Sequence, residues 1–124
     1  MQQADAPTAL SGAGSVVGMN ETIHTETNGD DTLRIELAPE QNRYEAHIGD
    51  RLAGFAEYIL SKGLITFTHT EVDPAFEGRG IGSTLARAAL DDVRAKGDRK
   101  VMPMCPFIKE WIARHEDYRD LVYR

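Results

Sequence analysis

The sequence predicts an α/β domain in which a mixed, mostly antiparallel sheet is flanked by two helices. Apolar residues alternate with polar ones between positions 33 and 72, and an apolar stripe at helical spacing follows from Ile81 to Val93. A short apolar segment then precedes a second helix that starts near Pro106. A chain of 124 residues is long enough for one hydrophobic core and too short for two, so we expect one domain with one site.

The β-rich half consists of four runs connected by tight turns. Apolar and polar residues alternate in these runs with a period of two, which is typical of strands with one buried face. The connections at Gly49-Asp50 and Ser61-Lys62-Gly63 carry the small and polar residues that tight turns favour. The pattern predicts an antiparallel meander with strands near residues 33–37, 44–48, 52–60 and 64–72.

Helical spacing begins after the meander. An apolar stripe recurs at intervals of three and four residues, and Gly97 marks the end of this helix. Because the helix forms a crossover, the segment 100–102 is predicted to lie parallel to the last strand of the meander. Pro106 suits the first turn of a second helix, which runs through Ile112. The stripe of the first helix consists of Ile81, Leu85, Ala88, Ala89 and Val93.

Residues 1–30 differ in composition from the remainder of the chain. They are rich in small, polar and acidic residues and have no sustained apolar period. Such a stretch buries too little apolar surface to offset its ordering entropy. We therefore predict a flexible tail at residues 1–30 and a folded domain at residues 31–124.

Composition disfavours several classes of protein. The formal net charge of −6 leaves no broad basic surface, which argues against sequence-independent nucleic-acid binding. No apolar run approaches the roughly 20 residues of a membrane-spanning helix, and the N-terminus lacks the pattern of a secretory signal. Cys105 is the only cysteine, and the histidine spacing gives no metal motif. We expect a soluble cytoplasmic protein, a monomer or small homo-oligomer, without metal, membrane or nucleic-acid partners.

The segment most informative about chemistry is Glu77-Gly78-Arg79-Gly80-Ile81-Gly82, which joins a predicted strand to a predicted helix. Glycines at alternate positions let the backbone direct several N–H groups to one side, and the helix N-terminus adds partial positive charge. These features predict a phosphate-binding loop. The loop lacks the Lys-Ser/Thr ending of a P-loop and the glycine spacing of a dinucleotide fingerprint, so neither ATP nor NAD is favoured.

With this loop the chain resembles the GNAT superfamily, whose acetyl-CoA loop has the pattern Gln/Arg-x-x-Gly-x-Gly/Ala between a strand and a helix. Glu77 departs from the first position of that pattern. The ordered motifs His69-Thr70, Gly78–Gly82, Pro103-Met104-Cys105-Pro106-Phe107 and Arg114–Tyr118 resemble, more narrowly, the short single-domain branch of that superfamily. The resemblance covers roughly residues 40 to 122, and it implies a GNAT-like fold with acetyl-CoA as cosubstrate.

The resemblance also implies where acetyl-CoA lies. The pyrophosphate would rest on the loop, the pantetheine would follow the strand backbone of residues 69–72, and the acetyl group would face Cys105. A glycine-rich helix start without a ligand is the structural alternative. The implied acetyl-CoA-binding residues are Thr70, Glu71, Val72, Gly78, Arg79, Gly80, Ile81, Gly82 and Ser83.

Three side chains are candidates for catalysis, and each has a structural alternative. Cys105, at a strand-to-helix junction, is either an acyl-accepting nucleophile or a small buried apolar group. His69 is predicted to share the face of Ile65 and Phe67, and is either a hydrogen-bonded core or sheet histidine or a general base. Tyr118 resembles in placement the tyrosine with which many GNAT enzymes protonate the departing CoA thiolate; the alternative is a packing residue.

The sequence thus predicts an acetyl-CoA-dependent N-acetyltransferase that acts on an amine acceptor. One alternative is a non-catalytic acyl-CoA-binding module, and another is an interaction domain that binds through an exposed sheet edge. A chain this short has few residues left to build an acceptor pocket. A metabolite amine, a protein lysine and a protein N-terminus all stay open as acceptors.

Overall fold

The computed structural model describes residues 20–28 and 31–123, which form a six-stranded sheet with two α-helices. The strands lie in the sheet in chain order. The strands are Glu21–Asn28 (β1), Asp31–Ala38 (β2), Arg43–Ile48 (β3), Arg51–Ser61 (β4), Leu64–Val72 (β5) and Lys100–Pro103 (β6), and the helices are Ile81–Lys96 (α1) and Pro106–Arg114 (α2). Short 3-10 helices span Pro39–Gln41, Pro74–Phe76 and Glu116–Leu121.

The sheet is mixed and mostly antiparallel. Strands β1 to β5 pair antiparallel in succession, and β6 pairs parallel with β5 after the α1 crossover. Helix α1 ends at Gly97, whose φ of 71° is left-handed and whose N–H donates to the Val93 carbonyl at 3.1 Å. The predicted fold class, the meander, both helices and the parallel last strand are therefore confirmed.

Strand β1 corrects the prediction of a flexible tail over residues 1–30. Residues 21–28 pair with β2 from Glu21 opposite Leu37 to Asn28 opposite Asp31, and Ile23 packs against the core. Threonines recur along β1, and β-branched residues favour the extended conformation of a strand. The prediction is wrong for these residues because pairing with β2 supplies the stabilisation that the composition lacks. The rest of the predicted tail lies outside the described residues.

The core lies between one face of the sheet and the two helices. Alternate residues of the strands and the apolar side of each helix form one cluster, which includes Ile35, Phe67, Leu85 and Ile108, all fully buried. The opposite face of β2 and β3 carries charged side chains instead. Neither helix in the described part of the chain is long and apolar enough to cross a membrane.

Candidate functional site

The glycine loop ends at the N-terminus of α1 with backbone donors that the helix cannot use. Gly78 and Gly80 have φ values of 84° and 75°, in the region that side-chain-bearing residues rarely adopt. The first bond of the helix runs from the Thr84 N–H to the Gly80 carbonyl at 3.1 Å. The N–H groups of residues 81–83 therefore have no acceptor within the helix, and Gly80 has no side chain to cap them. Among the described residues these N–H groups have no hydrogen-bond acceptor, so they are available to an anion.

A groove of about 350 Å³ lies between this loop and α2. The Trp111 Nε1 donates to the Ser83 Oγ at 2.9 Å, which ties α2 to the first turn of α1. The Trp111 ring also stacks on the His115 ring, with centroids 3.8 Å apart and planes 9° from parallel. The wall that faces the loop is therefore largely aromatic and comprises Phe107, Trp111, Arg114 and His115.

Gly82 brings the two walls of the groove together. A Cβ atom on Gly82 would lie 2.8 Å from the Phe107 Cζ, closer than such atoms approach in proteins. Because Gly82 has no side chain, α2 can pack closely against the start of α1. Gly82 is also predicted to bind acetyl-CoA, and its N–H, which has no acceptor among the described residues, is compatible with that prediction.

Strands β5 and β6 separate beyond Phe67. Their pairing ends where Phe67 lies opposite Pro103, and the N–H groups of Met104 and Cys105 both donate to the Phe67 carbonyl, at 3.1 and 2.9 Å. From there to Val72, β5 pairs with β4 alone. The other backbone edge of β5 is thus open, and it leads from Val72, which lines the groove, towards Cys105.

Cys105 lies beside this open edge with its thiol on Thr70. It is 3% exposed, and its Sγ donates to the Thr70 Oγ1 at 3.2 Å. The residue also forms the N-cap of α2, with Pro106 in the first turn and the Lys109 N–H bonded to the Cys105 carbonyl at 3.0 Å. The structure thus places two predicted site residues together, next to a second helix N-terminus.

Sequence comparison agrees with this geometry. The sequence model of the GCN5-related N-acetyl-transferase family matches residues 43–121. The chain belongs to the GCN5-related N-acetyltransferase (GNAT) family. Its relatives include Protein NATD1 of Homo sapiens, 40% identical over 83 residues, which are 64% of this chain and 72% of the relative. Protein NATD1 of Mus musculus is 32% identical over 83 residues (64% and 74%), and that of Xenopus tropicalis is 32% identical over 84 residues (65% and 75%).

His69, a predicted catalytic residue of this GNAT domain, lies on the face of the sheet opposite to Cys105. Thr68 is an extra residue in β5, because His69 lies opposite Glu57 while Phe67 lies opposite Tyr58. This bulge turns His69 outwards, where its Nε2 lies 2.8 Å from the Glu71 Oε2. The prediction that His69 shares the face of Ile65 and Phe67 is therefore wrong, since the side chain is 52% exposed. Of the structural alternatives, His69 is a hydrogen-bonded sheet histidine and not a core histidine, and its role as a general base stays a prediction.

Tyr118 does not line the groove of this GNAT domain. Its hydroxyl donates to the Asp91 Oδ1 at 2.8 Å and accepts from the Arg87 guanidinium at 3.2 Å. Burial and the hydrogen bond to Asp91 raise the pKa of Tyr118 above its ordinary value. The ring packs edge-on against Trp111, with centroids 5.0 Å apart. These contacts fasten the C-terminal segment to α1, and the proton-donor role stays a prediction.

The side chains of Arg79 and Glu71, two of the predicted acetyl-CoA-binding residues, are bonded to other residues of the protein. The Arg79 guanidinium bonds to the Asp31 carboxylate and lies over the Phe76 ring at 5.6 Å. The Glu71 carboxylate bonds to His69. The roles of Arg79 and Glu71 in ligand binding stay a prediction.

The aromatic wall of the groove is the part of the site that sequence reasoning missed. Phe107 and Trp111 lie four residues apart on one helix, a spacing that by itself indicates only a packing pair. The available signal in the sequence was a further large apolar residue, Phe107, beside the apolar positions Ile108 and Ile112; in the structure Phe107 is 41% exposed. No sequence signal indicates the Trp111–Ser83 hydrogen bond, which joins residues distant in the chain.

A cluster of side chains that could bind a metal lies on the outer face of the sheet, although the sequence predicts no metal site. Ligand atoms of Glu36, Glu45 and His47 lie within 4.8 Å of one another. The Arg34 Nε bonds to one carboxylate at 3.0 Å, and the Arg43 Nε bonds to the other at 2.7 Å. Because these cations already neutralise both carboxylates, we assign the cluster to the ion pairs and not to a metal.

Proposed function

We propose that this GNAT domain transfers the acetyl group of acetyl-CoA to an amine, with Cys105 as the residue that accepts the acetyl group on the way. The observation that supports this most is the open edge of β5, which runs from Val72 at the groove to Thr70, whose Oγ1 accepts a hydrogen bond from the buried Cys105 thiol. A strand edge thus links the anion-binding end to the neighbourhood of a nucleophile.

The residues of the loop, the groove and the strand edge fit acetyl-CoA. The free N–H groups of residues 81–83 and the α1 dipole suit a pyrophosphate. The open backbone edge between Thr68 and Val72 offers donors and acceptors to an amide-containing chain such as pantetheine. The aromatic wall of Phe107 and Trp111 supplies apolar surface. Acetyl-CoA would supply the thioester that Cys105 attacks.

The chemistry at Cys105 consists of two acyl transfers. In the first, the Cys105 Sγ bonds to the acetyl carbonyl carbon, the bond from that carbon to the CoA sulfur breaks, and the Cys105 proton passes to the CoA sulfur. In the second, the amine nitrogen bonds to the same carbon, the Cys105 thioester bond breaks, and an amine proton returns to Cys105. Thr70 positions the thiol through its hydrogen bond.

Direct attack by the amine on acetyl-CoA is the second route to the same product. An amine that arrives from the outer face of the sheet would meet His69, whose exposed imidazole could accept its proton. This route needs no covalent intermediate. It therefore predicts amine acetylation that survives substitution of Cys105.

Intact-mass analysis with acetyl-CoA tests the covalent route. We expect wild-type protein to gain one acetyl group, Cys105→Ala to gain none, and Thr70→Val, which keeps the shape but loses the hydrogen bond, to acetylate more slowly. Cys105→Ser serves as a size-matched control. An adduct that persists in Cys105→Ala would contradict the assignment of Cys105.

A non-catalytic acyl-CoA-binding role is the second candidate, and one observation favours it. Within residues 20–28 and 31–123, no imidazole or carboxylate is hydrogen-bonded to the Cys105 thiol, which leaves the nucleophile without an adjacent base. Calorimetry with CoA, followed by turnover assays on panels of small amines, peptides with free lysine and peptides with free N-termini, distinguishes the roles. Binding without an adduct or any turnover would favour the binding module.

A further inference from the structure

A second concave site lies at the far end of α1 from the glycine loop. It is a pocket of about 140 Å³ between the last turns of the helix and the inner face of the sheet. Its walls are apolar and include Leu37, Tyr44, Tyr58, Ile65 and Val93. At 1.5 Å per helical residue, Val93 lies about 18 Å along α1 from Ile81 at the loop. The pocket is therefore separate from the groove and from Cys105.

Tyr58 lines this pocket with a buried hydroxyl group. Tyr58 is 5% exposed and Tyr44 is 3% exposed, and their rings lie 5.6 Å apart. The Tyr44 hydroxyl donates to the Asp92 carboxylate at 2.7 Å, whereas the Tyr58 hydroxyl has no hydrogen-bond partner among the residues that the structure describes. A buried hydroxyl without a partner costs free energy, so a ligand that accepts its hydrogen bond would gain from this site.

The mouth of the pocket carries charged side chains of both signs. It is formed by Lys96, Asp98 and Arg99. Lys96 is already paired with Asp92 at 2.6 Å. Within the described part of the chain, Arg99 makes only long polar contacts, to the Ser61 carbonyl at 3.4 Å and to Asp98 at 3.5 Å. Its guanidinium is thus the cation best able to bind a new partner, and its planar donors match a carboxylate.

We propose that this pocket binds a small aromatic monocarboxylate of about the size of benzoate. The ring would lie between the tyrosine rings and the aliphatic side chains, and the carboxylate would accept hydrogen bonds from Arg99 and from the Tyr58 hydroxyl. An apolar cavity of about 150 Å³ accommodates a benzene ring, so the volume is adequate for the ring of this ligand. The site does not depend on the proposed acetyl transfer, because it shares no residue with the groove.

Titration of the ¹⁵N-labelled full chain with benzoate tests the proposal, with benzamide as the uncharged analogue. We expect amide shifts at Tyr58, Val93 and Arg99, and weaker binding of benzamide. Arg99→Gln should weaken benzoate binding by about tenfold or more, because it removes the charged partner. Tyr58→Phe, which keeps the ring, should also weaken it. Arg114→Gln, the same charge change in the other groove, should leave it unchanged.

Several results would overturn this assignment. One is the absence of shifts around the pocket at millimolar benzoate. Equal affinity for benzamide and benzoate, or unchanged binding by Arg99→Gln, would contradict recognition of the carboxylate. Shifts confined to the α1–α2 groove and lost in Arg114→Gln would place the ligand elsewhere. Arg99 lies at the surface, so its variant tests the site without disturbing the core.

Discussion

Glu77 is the residue at which the loop departs from the GNAT pattern, and it lines the groove next to the helix N-terminus. Its carboxylate opposes the negative charge of a pyrophosphate bound there. We expect Glu77→Gln to bind CoA about two- to fivefold more tightly at low salt, with the gain shrinking as ionic strength rises. Calorimetric titrations with CoA at two salt concentrations measure this difference.

Glu40→Gln is the matched control for this substitution. Glu40 is exposed in the 3-10 helix Pro39–Gln41 and takes no part in the groove, so its variant should bind CoA like the wild type. A weaker or unchanged affinity in Glu77→Gln would mean that the carboxylate points away from the bound phosphates. The preference for an anion would then rest on the backbone donors alone.

At the level of elements, Gly82 couples the packing of α1 against α2 to the shape of the groove. An alanine here favours the helix, but its Cβ would meet the Phe107 ring at 2.8 Å. The ring is 41% exposed and can swing aside. We therefore expect Gly82→Ala to change the free energy of unfolding by less than about 1 kcal/mol. CoA affinity should nevertheless fall by about tenfold as the aromatic wall moves.

A double-mutant cycle with Phe107→Ala separates these effects. Once the ring is removed, Gly82→Ala has nothing to displace, and its additional effect on CoA affinity should largely disappear. Denaturation curves for the wild type, the two single variants and the double variant measure the free energy of unfolding, and calorimetry measures CoA affinity. If Gly82→Ala bound CoA as tightly as the wild type, the wall formed by Phe107 would not contact the ligand.

At the level of the whole molecule, the pH dependence of stability should reflect Glu45, which is only 3% exposed. Burial alone would raise the pKa of its carboxyl, but hydrogen bonds from His47 and Arg43 outweigh burial and hold it below its ordinary value. Since the unfolded pKa is about 4.3, ionised Glu45 contributes stability above that pH. The contribution is lost as pH falls through the folded-state pKa.

Glu45→Gln should therefore be less stable than the wild type by about 1–3 kcal/mol at pH 7. The gap should narrow as the pH falls from about 5 towards 3, where the wild type also loses the charge. Urea denaturation across this range measures it, and Glu40→Gln controls for the loss of an exposed carboxylate. A gap that is constant with pH would show that the ionisation of Glu45 is unimportant to the fold.

Much of this architecture was predictable because its signals are local. The period of two in β2 to β5 and the stripe from Ile81 to Val93 are set by the geometry of a single strand or helix. The glycines at positions 78 and 80 were identifiable for a similar reason, since their left-handed φ values are a property of the loop itself. The order of the motifs along the chain was sufficient to indicate the GNAT family.

The features that only the tertiary structure determined depend on contacts between segments that are distant in the chain. Strand β1 forms because β2 pairs with it, although its own composition resembles that of a tail. The bulge at Thr68 turns His69 away from Cys105, and one extra residue in a strand leaves no reliable mark in the sequence. The groove likewise exists because Gly82 lets Phe107 approach. Local patterns specify elements, whereas the site arises where those elements pack together.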